Sequence, residues 1–245
     1  KAKQEKLNAV LEKTNEDLQQ NNEALDSFNY HVSHDLKTVM NNSNALSQMI
    51  SKYNDLGNKE KVKEIAAKLF TVTKNGSETV QSFLSLGTVD DILKNENEKS
   101  LEVKKELQAI IDRNDLNNAI TIQVITDKIG SLTMHEKAFE SIFLNFITNA
   151  IKYNEGKAKV EVHFLSKGAN YEFTFSDNGI GIDIDKYGDV IFEPFQRGNY
   201  EGKEEGTGVG LYLVKRIVSA YGGKISVESA VNIGTTFKVI IPKKR

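Results

Sequence analysis

One helical segment of the sequence gathers polar groups that could hold a metal ion and a phosphate. The run NFITNAIKY begins at Asn145, and at about 100° per residue Asn145, Asn149 and Lys152 lie close together beside its apolar face. Amide oxygens can ligate a hard cation such as Mg²⁺, and a lysine one turn away can reach a phosphate. The solvated flank of an ordinary amphipathic helix has the same pattern, so the segment alone leaves both interpretations open.

A carboxylate followed by two glycines suggests a site for a purine base. Asp177 ends a strand pattern, and Gly179 and Gly181 come directly after it. A carboxylate at this point can accept a hydrogen bond from an exocyclic amine such as adenine N6, while glycines let the base approach the backbone. A tight turn would give the same spacing, so this motif too is weak by itself.

A second glycine-rich stretch lies immediately before an apolar helical pattern. Its residues are, in order, Gly206, Thr207, Gly208, Val209, Gly210 and Leu211. Backbone amides at a helix N-terminus bind phosphate oxygens when no side chain obstructs them. The spacing differs from the dinucleotide fingerprint and from the Walker A loop, so it predicts a phosphate site of another kind.

A histidine near the N-terminus is the candidate nucleophile. In the stretch SHDLKT at 33–38, the apolar neighbours predict a helix whose buried face lies opposite His34, which places the imidazole in solvent. A neutral imidazole is a competent nucleophile, Asp35 could orient its other ring proton, and Thr38 lies one turn further on the same face. Alone, His34 could equally be an ordinary surface residue. His31 is a rival that lacks the following acid.

The element that carries this histidine is predicted to be one long helix. Two series of residues recur every seven positions, from Leu7 to Phe28 and from Leu11 to Val32, and no proline or glycine interrupts them. This a/d seam predicts a parallel two-stranded coiled coil over residues 1–27. A single amphipathic helix packed on its own domain is the alternative. After Val32 the seam contains a stutter, because the next apolar residue, Leu36, lies four positions on where the heptad requires three.

A returning helix completes the first predicted domain. Apolar or small residues from Val62 to Leu86 are spaced three and four apart after a turn at 54–58. The pattern predicts a helical hairpin over 28–87, and two such hairpins make a dimeric four-helix bundle. Residues 88–99 are polar and acidic and are predicted to form a linker.

The remaining residues, 100–245, predict a second domain of strands and helices. Alternating apolar and polar residues predict strands at 119–126, 157–165, 171–175, 224–227 and 235–241. Helical spacing predicts helices at about 102–113, 135–153 and 208–221. The predicted class is α+β, with a mostly antiparallel sheet covered by helices on one face as an α/β sandwich.

Composition limits the classes of ligand and location. A net charge of -2 over 245 residues gives no basic footprint, so nucleic acid is not expected as a ligand. The chain has no cysteine, which excludes disulfides and thiolate metal sites. No apolar run approaches the roughly 20 residues of a membrane span, so we expect a cytoplasmic segment without membrane contact. The start at Lys1 suggests a longer protein whose upstream sensor part is missing and could anchor it to a membrane.

Taken in order, the motifs resemble those of one family. The asparagine helix, DNGIG from Asp177, IFEPF from Ile191 and GTGVGL from Gly206 resemble the N, G1, F and G2 boxes of the histidine-kinase ATP-binding domain, which is of the GHKL (Bergerat) type. The stretch at 33–38 resembles the H box of the same family. The resemblance covers residues 28–242, and the chain is similar to the catalytic core of a sensor histidine kinase.

The resemblance implies ATP and Mg²⁺ as cofactors and assigns roles in the second domain. Asn149 and Asn145 would lie at Mg²⁺, and Lys152 would lie near the phosphates. The other residues implied for the nucleotide are Tyr153 against the base, Asp177, Gly179 and Gly181 at adenine, Arg197 near the phosphates, and Gly206, Thr207, Gly208, Gly210 and Leu211 in the glycine-rich turn. The segment from Arg197 to Glu205 would match the mobile ATP lid of the family.

The resemblance also implies a reaction and its partners. His34, assisted by Asp35, would take the γ-phosphate of ATP and pass it to an aspartate of a response-regulator receiver domain. Thr38 matches the position that family members use to help dephosphorylate that partner, so phosphatase activity is a further expectation. The protein would act as a homodimer.

Two departures separate the chain from common patterns. The family commonly has Thr-Pro-Leu where this chain has Thr38-Val39-Met40, so the helix below His34 should be straighter. Related ATPases of the gyrase and heat-shock chaperone type have a glutamate in place of Asn145, and an amide cannot act as their general base. Two alternatives are a hydrolytic or serine-phosphorylating relative on the same fold and a catalytically silent docking module. The first predicts no acceptor histidine, and the second predicts no intact nucleotide motifs.

Overall fold

The chain folds as two units in a computed structural model, which describes residues 8, 30, 32–34, 36–94, 97–127, 129–188, 190–194 and 208–243. For residues 78, 82–83 and 85–94 only the backbone is described. The first unit ends at Phe83, and the second comprises Leu84–Lys203 and Gly208–Arg245. Across the described ranges, no helix is both long and apolar enough to cross a lipid bilayer.

The first unit is an antiparallel hairpin of α1 (residues 36–55) and the greater part of α2 (Lys59–Lys94), whose residues from Leu84 onward belong to the second unit. Asn58 begins α2, and its side-chain oxygen accepts a hydrogen bond from the Lys61 amide at 3.0 Å, as an N-cap residue does. The helices pack closely at Gly76, where an added Cβ would lie 2.6 Å from a methyl carbon of Val39. These two residues lie about equally far from the turn, which fixes the antiparallel arrangement.

Both helices extend beyond their predicted ends. Helix α1 continues to residue 55, and α2 continues to Lys94, so residues 88–94 are helical and the prediction of a linker beginning at 88 is wrong. The physical reason is that no proline or glycine lies in this stretch and the asparagine-rich run begins only at Asn95. The predicted coiled coil, 1–27, lies outside the described residues apart from Asn8.

The second unit contains seven strands and four helices in the described residues. Their order is β1 (Lys99–Glu102), α3 (Val103–Arg113), β2 (Ile120–Thr126), β3 (Ser131–Met134), α4 (Glu136–Lys152), β4 (Ala158–Lys167), β5 (Asn170–Asp177), α5 (Ile184–Tyr187), α6 (Gly210–Ala220), β6 (Lys224–Ala230) and β7 (Gly234–Pro242). All five predicted strands and all three predicted helices are present, and the α+β class is confirmed. Strands β1 and β3 and helix α5 were not predicted.

The main sheet has five strands in the order β2-β4-β5-β7-β6. Strand β2 is parallel to β4, and every other pair is antiparallel, as predicted for a mostly antiparallel sheet. Along β4, buried residues alternate with more exposed ones, so one face of the sheet is covered. Helices α3, α4 and α6 pack against that face. Strands β1 and β3 form a separate two-stranded sheet.

Aromatic side chains fill the layer between α4 and the sheet. Phe146 of α4 stacks on Phe237 of β7 with ring centroids 4.8 Å apart, and Phe143 meets Phe173 of β5 at 5.2 Å. All four side chains are buried. This packing fixes the position of α4 relative to β5 and β7.

Asp127 makes several backbone hydrogen bonds at one end of the sheet. The Asp127 carboxylate accepts hydrogen bonds from the amides of Ile129, Gly130 and Ser166, which joins the turn after β2 to the end of β4. These bonds, with that from Ser166 the most important, hold the pKa of Asp127 below its ordinary value. The ionised carboxyl therefore stabilises the folded chain.

Candidate functional site

The polar edge of α4 faces the start of α6. The side-chain nitrogen of Asn145 donates to the carbonyl of Ser141 at 2.7 Å, which turns the amide oxygen the other way. An added Cβ at Gly210 would lie 2.4 Å from that oxygen. The absence of a side chain at Gly210 thus lets the Asn145 amide oxygen reach the first turn of α6.

The other predicted residues of this helix follow along the same edge. Asn149 is half-buried one turn after Asn145, and its carbonyl accepts a hydrogen bond from the amide of Tyr153 at 2.9 Å. Lys152 lies on the last turn with its ammonium 5.0 Å from the centre of the Tyr153 ring. Asn145, Asn149 and Lys152 therefore lie along one edge of α4, as their spacing predicts, and Tyr153 is the C-cap residue of the helix.

Asp177 lies at the end of β5, where its carboxylate accepts a hydrogen bond from the Gly179 amide at 2.8 Å. Burial raises the pKa of Asp177, and the hydrogen bonds from the backbone of Gly179 and Thr235 offset only part of that effect. A carboxylate in such surroundings is a strong acceptor for a donor group, because water competes poorly for it.

Hydrogen bonds join the asparagine helix to the loop after Asp177. The amide of Ile180 donates to the carbonyl of Tyr153 at 2.9 Å. The side chain of Asn154 donates to the side-chain oxygen of Asn178 at 2.8 Å, and that oxygen also accepts from the amide of Lys159 at 2.7 Å. The two motifs, which lie far apart in sequence, thus form one side of the same site.

Asn154 lies outside the sequence motifs, and Asn178 lies within DNGIG without a predicted role. The signal that could have found them is their residue type, because asparagine side chains commonly bond to backbone groups in turns.

Gly181 has a packing role that the sequence did not indicate. Its φ is 71°, and an added Cβ would lie 2.0 Å from the carbonyl oxygen of Ala230. Any side chain at this position would therefore push the loop away from the end of β6. The predicted approach of a base to this glycine remains a prediction.

The start of α6 contains the last residues of the glycine-rich stretch. Val209 is the N-cap residue, is 2% exposed, and makes no capping hydrogen bond through its side chain. Gly208 precedes it, and Leu211 is half-buried on the first turn. Backbone amides at a helix N-terminus are suitable for binding phosphate oxygens. Arg197, Gly206 and Thr207 lie outside the described residues.

Residues 191–194, before the predicted lid, contact the core and α6. Ile191 and Phe192 are buried, and the Phe192 ring meets Phe237 edge to face with centroids 6.4 Å apart. Glu193 forms an ion pair with Lys215 of α6 at 2.8 Å. The described part of the IFEPF motif is therefore an anchoring segment.

His34 lies in the first unit, on a helical turn of residues 32–34, and is exposed as predicted. Val32 beside it is buried with 9% exposure, consistent with a helix that turns its apolar face inward. The hydroxyl of Thr38 donates to the carbonyl of His34 at 3.0 Å, and the rings of Tyr30 and His34 stack with centroids 6.5 Å apart. The predicted residues Asp35 and His31 lie outside the described residues.

Comparison with known proteins places the second unit in an ATPase class. Residues 134–245 match the family described as histidine kinase-, DNA gyrase B-, and HSP90-like ATPase. The sensor protein kinase WalK of Staphylococcus aureus is 30% identical over 225 residues, which cover 88% of this chain and 36% of WalK. The chain thus spans about a third of the length of this curated relative.

Solved structures show the same fold. The histidine kinase AdeS of Acinetobacter baumannii is 19% identical with a TM-score of 0.63, over 86% of this chain and 98% of that one. The histidine kinase ThkA, solved in complex with the response regulator protein TrrA, is 16% identical with a TM-score of 0.61, over 89% of this chain and 61% of that one. The second unit thus matches the family of histidine kinase-, DNA gyrase B- and HSP90-like ATPases, and the chain is similar to the sensor histidine kinases.

Proposed function

We propose that this chain is an ATP-dependent protein-histidine kinase that phosphorylates its own His34 and passes the phosphoryl group to a response-regulator aspartate. The observation that carries the proposal is the convergence of three motifs. Asn145 faces the start of α6 across Gly210, and the loop after Asp177 is bonded to the end of α4. An acceptor for an amine, an amide oxygen and the backbone amides at the start of a helix thus border one site.

The base of the nucleotide is proposed to bind at the end of β5. Asp177 accepts a hydrogen bond from the exocyclic amine of adenine, and the loop with Gly179 and Gly181 lies beside the base. Tyr153, held by the Asn149 carbonyl at its amide and by Ile180 at its carbonyl, packs against the ring. Both backbone bonds fix the position of this tyrosine before the nucleotide binds.

The phosphates and Mg²⁺ are proposed to lie between α4 and α6. Within the described ranges no cluster of three or more carboxylate or imidazole groups could hold a metal ion alone. The amide oxygens of Asn145 and Asn149 fit Mg²⁺, which binds oxygen ligands and usually shares them with phosphates. Lys152 and the amides from Gly208 to Leu211 bind phosphate oxygens, and Arg197, Gly206 and Thr207 complete that set. The bound cation neutralises charge on the phosphates.

The imidazole of His34 is proposed as the acceptor of the phosphoryl group. One ring nitrogen forms a bond to the γ-phosphorus, the bond from that phosphorus to the β-phosphate oxygen breaks, and ADP leaves. Asp35 orients the other ring nitrogen. An amide at Asn145 cannot take a proton from water, so the site does not favour hydrolysis over transfer to the histidine.

A response-regulator receiver domain is the proposed final acceptor. ThkA, which shares the fold, was solved with its response regulator bound. Thr38 lies one turn from His34 on the exposed side of the helix, where it would help water remove the phosphate from the partner aspartate. The protein would then act as kinase and as phosphatase of the same partner.

The chemistry is tested by incubating the chain with γ-labelled ATP and Mg²⁺. We expect the label to enter the protein, to be lost in acid and to survive base, because a phosphoramidate is acid-labile and base-stable. Chelation of Mg²⁺ with EDTA should abolish labelling. Label that resists acid would indicate a serine, threonine or tyrosine acceptor, and a chain that releases phosphate without label would be an ATPase.

A homodimer is proposed through the helical hairpin and the predicted coiled coil. A fragment of residues 1–94, which includes all of α2, is expected to sediment as a dimer at micromolar concentration, because both heptad series lie within it. Leu18→Asp places a charge at the centre of the predicted seam and should shift the fragment towards monomer. A monomeric unmodified fragment would contradict the bundle.

A further inference from the structure

Ser229, at the end of β6, uses every hydrogen bond its hydroxyl can make. It accepts from the amide of Ile182 at 2.8 Å and donates to the carbonyl of Gly234 at 2.7 Å. Its oxygen also lies 3.0 Å from the hydroxyl oxygen of Thr235. A serine hydroxyl offers one proton and two lone pairs, so all three positions are filled.

The number of available protons determines which residue donates in the hydrogen bond between Ser229 and Thr235. A carbonyl can only accept, so the one proton of Ser229 goes to Gly234 and the Thr235 hydroxyl must donate to Ser229. Thr235 is 6% exposed and is a buried polar residue. A buried hydroxyl without its partner costs free energy, so Ser229 determines how the Thr235 side chain is held.

The same strand end holds both sides of the proposed adenine pocket. Thr235 pairs with Ser229 on one side and with Asp177 on the other, and a backbone bond from Thr235 reaches the Asp177 carboxyl. On the loop side, Ile182 is bonded to Ser229, and the carbonyl of Ile180 accepts from the amide of Asn232 at 2.7 Å. Ser229 therefore bonds both to the loop after Asp177 and to the neighbour of Asp177 in the sheet.

We propose that Ser229 is a positioning residue for the adenine end of the nucleotide site: its hydroxyl fixes the loop at 179–182 and the Thr235 side of the Asp177 carboxylate relative to each other. This inference rests on the proposed binding of adenine at Asp177. It assigns a role to a residue that lies outside all the motifs found in the sequence.

The test is calorimetric titration of the full chain with ADP and with the non-hydrolysable analogue AMPPNP. Ser229→Ala should weaken both ligands by the same factor, about tenfold, because they share the base and differ only at the phosphates. Ser229→Thr keeps the hydroxyl and should restore affinity to within about twofold. A purely structural role predicts a lower unfolding temperature without this parallel loss.

A neighbouring hydroxyl pair provides the matched control. The Thr236 hydroxyl donates to Ser176 at 3.0 Å between the same two strands as the Asp177 and Thr235 pair, but on the opposite face. Thr236→Val should leave both affinities unchanged. Unchanged binding by Ser229→Ala, a loss confined to AMPPNP, or an equal loss in Thr236→Val would overturn the inference.

Two further outcomes are separable. If the unmodified chain binds neither ligand, the proposed function fails, whereas normal binding by both the unmodified chain and Ser229→Ala rejects only the role of Ser229. If Ser229→Ala does not fold by circular dichroism, Ser229→Cys replaces it, since a thiol fills the space but hydrogen-bonds weakly. That variant should lose affinity for both ligands in parallel, and full affinity in it would reject the inference.

Discussion

A His34→Gln variant is expected to fold, to bind ATP with unchanged affinity and to acquire no phosphate. The loss is complete because the substitution removes the nucleophilic nitrogen while it leaves a polar side chain on an exposed helix face. The free energy of unfolding should change by no more than about 0.5 kcal/mol, as for most surface substitutions. Labelling with γ-labelled ATP, thermal unfolding and calorimetry measure the three quantities separately.

A second histidine provides the control for that variant. His163 lies on β4 in the second unit, is partly exposed, pairs with Glu161 and lies outside the proposed chemistry. His163→Gln should label as the unmodified chain does. If His34→Gln still acquires acid-labile phosphate, the acceptor is another histidine and His31 is the first to examine.

Mixed dimers extend the experiment to the geometry of transfer. When His34→Gln is mixed with an Asp177→Asn variant, one chain supplies the nucleotide site and the other supplies the histidine. Label on the chain that retains His34 would show transfer between subunits. Absence of label would favour transfer within one chain, provided that mixed dimers form.

Periodicity in the sequence was sufficient to predict the main elements. Strand β4 alternates buried and exposed residues as its sequence alternates apolar and polar ones, and the buried face of α4 recurs at helical spacing. The exposure of His34 followed from the same reasoning, since Val32 beside it had to turn inward. These features depend on residues close in sequence, which is why a local pattern contains them.

Short and non-local elements were not predictable in this way. Strand β1 has four residues and pairs with β3 about thirty positions later, so neither contains enough alternation to be recognised alone. The parallel pairing of β2 with β4 likewise depends on a connection through α4. Residues 88–94 at the end of α2 have a polar and acidic composition that is typical of a linker, but they contain no helix breaker.

The motifs of the site were predictable from the sequence, but the residues that hold those motifs in place were not. Residue type and order indicated Asn145, Asp177 and the glycines, whereas Ser229 contacts them only through the pairing of β6, β7 and the loop at 179–182. Gly181 is predicted to let a ligand approach the backbone, and in the structure the absence of a side chain there is also required for its packing against Ala230. Such contacts arise from the assembled sheet, and no local spacing encodes them.

Asp127 and Asp177 allow a paired test, because their carboxyls affect the fold in opposite directions. The lowered pKa of Asp127 means that its ionised form stabilises the fold above the ordinary carboxyl pKa, and that this contribution is lost as the pH falls through the lowered value. Asp127→Asn should therefore lower the unfolding temperature at neutral pH, with a smaller difference in acid. Nucleotide affinity should not change, since Ser166 lies six residues along β4 from the partner of Asp177, or about 20 Å.

Asp177→Asn is expected to affect nucleotide binding without lowering stability. ATP binding should weaken about 10- to 100-fold. The variant loses a charge-assisted hydrogen bond worth about 1.5–3 kcal/mol, and each 1.4 kcal/mol is a factor of ten. Because burial raises the pKa of Asp177, the ionised carboxyl costs stability at neutral pH, so its removal should leave the unfolding temperature unchanged or higher. In the unmodified chain the raised pKa also predicts that affinity declines, as the pH falls, sooner than for an ordinary carboxyl. Calorimetry across pH measures both effects, and unchanged affinity in Asp177→Asn would place adenine elsewhere.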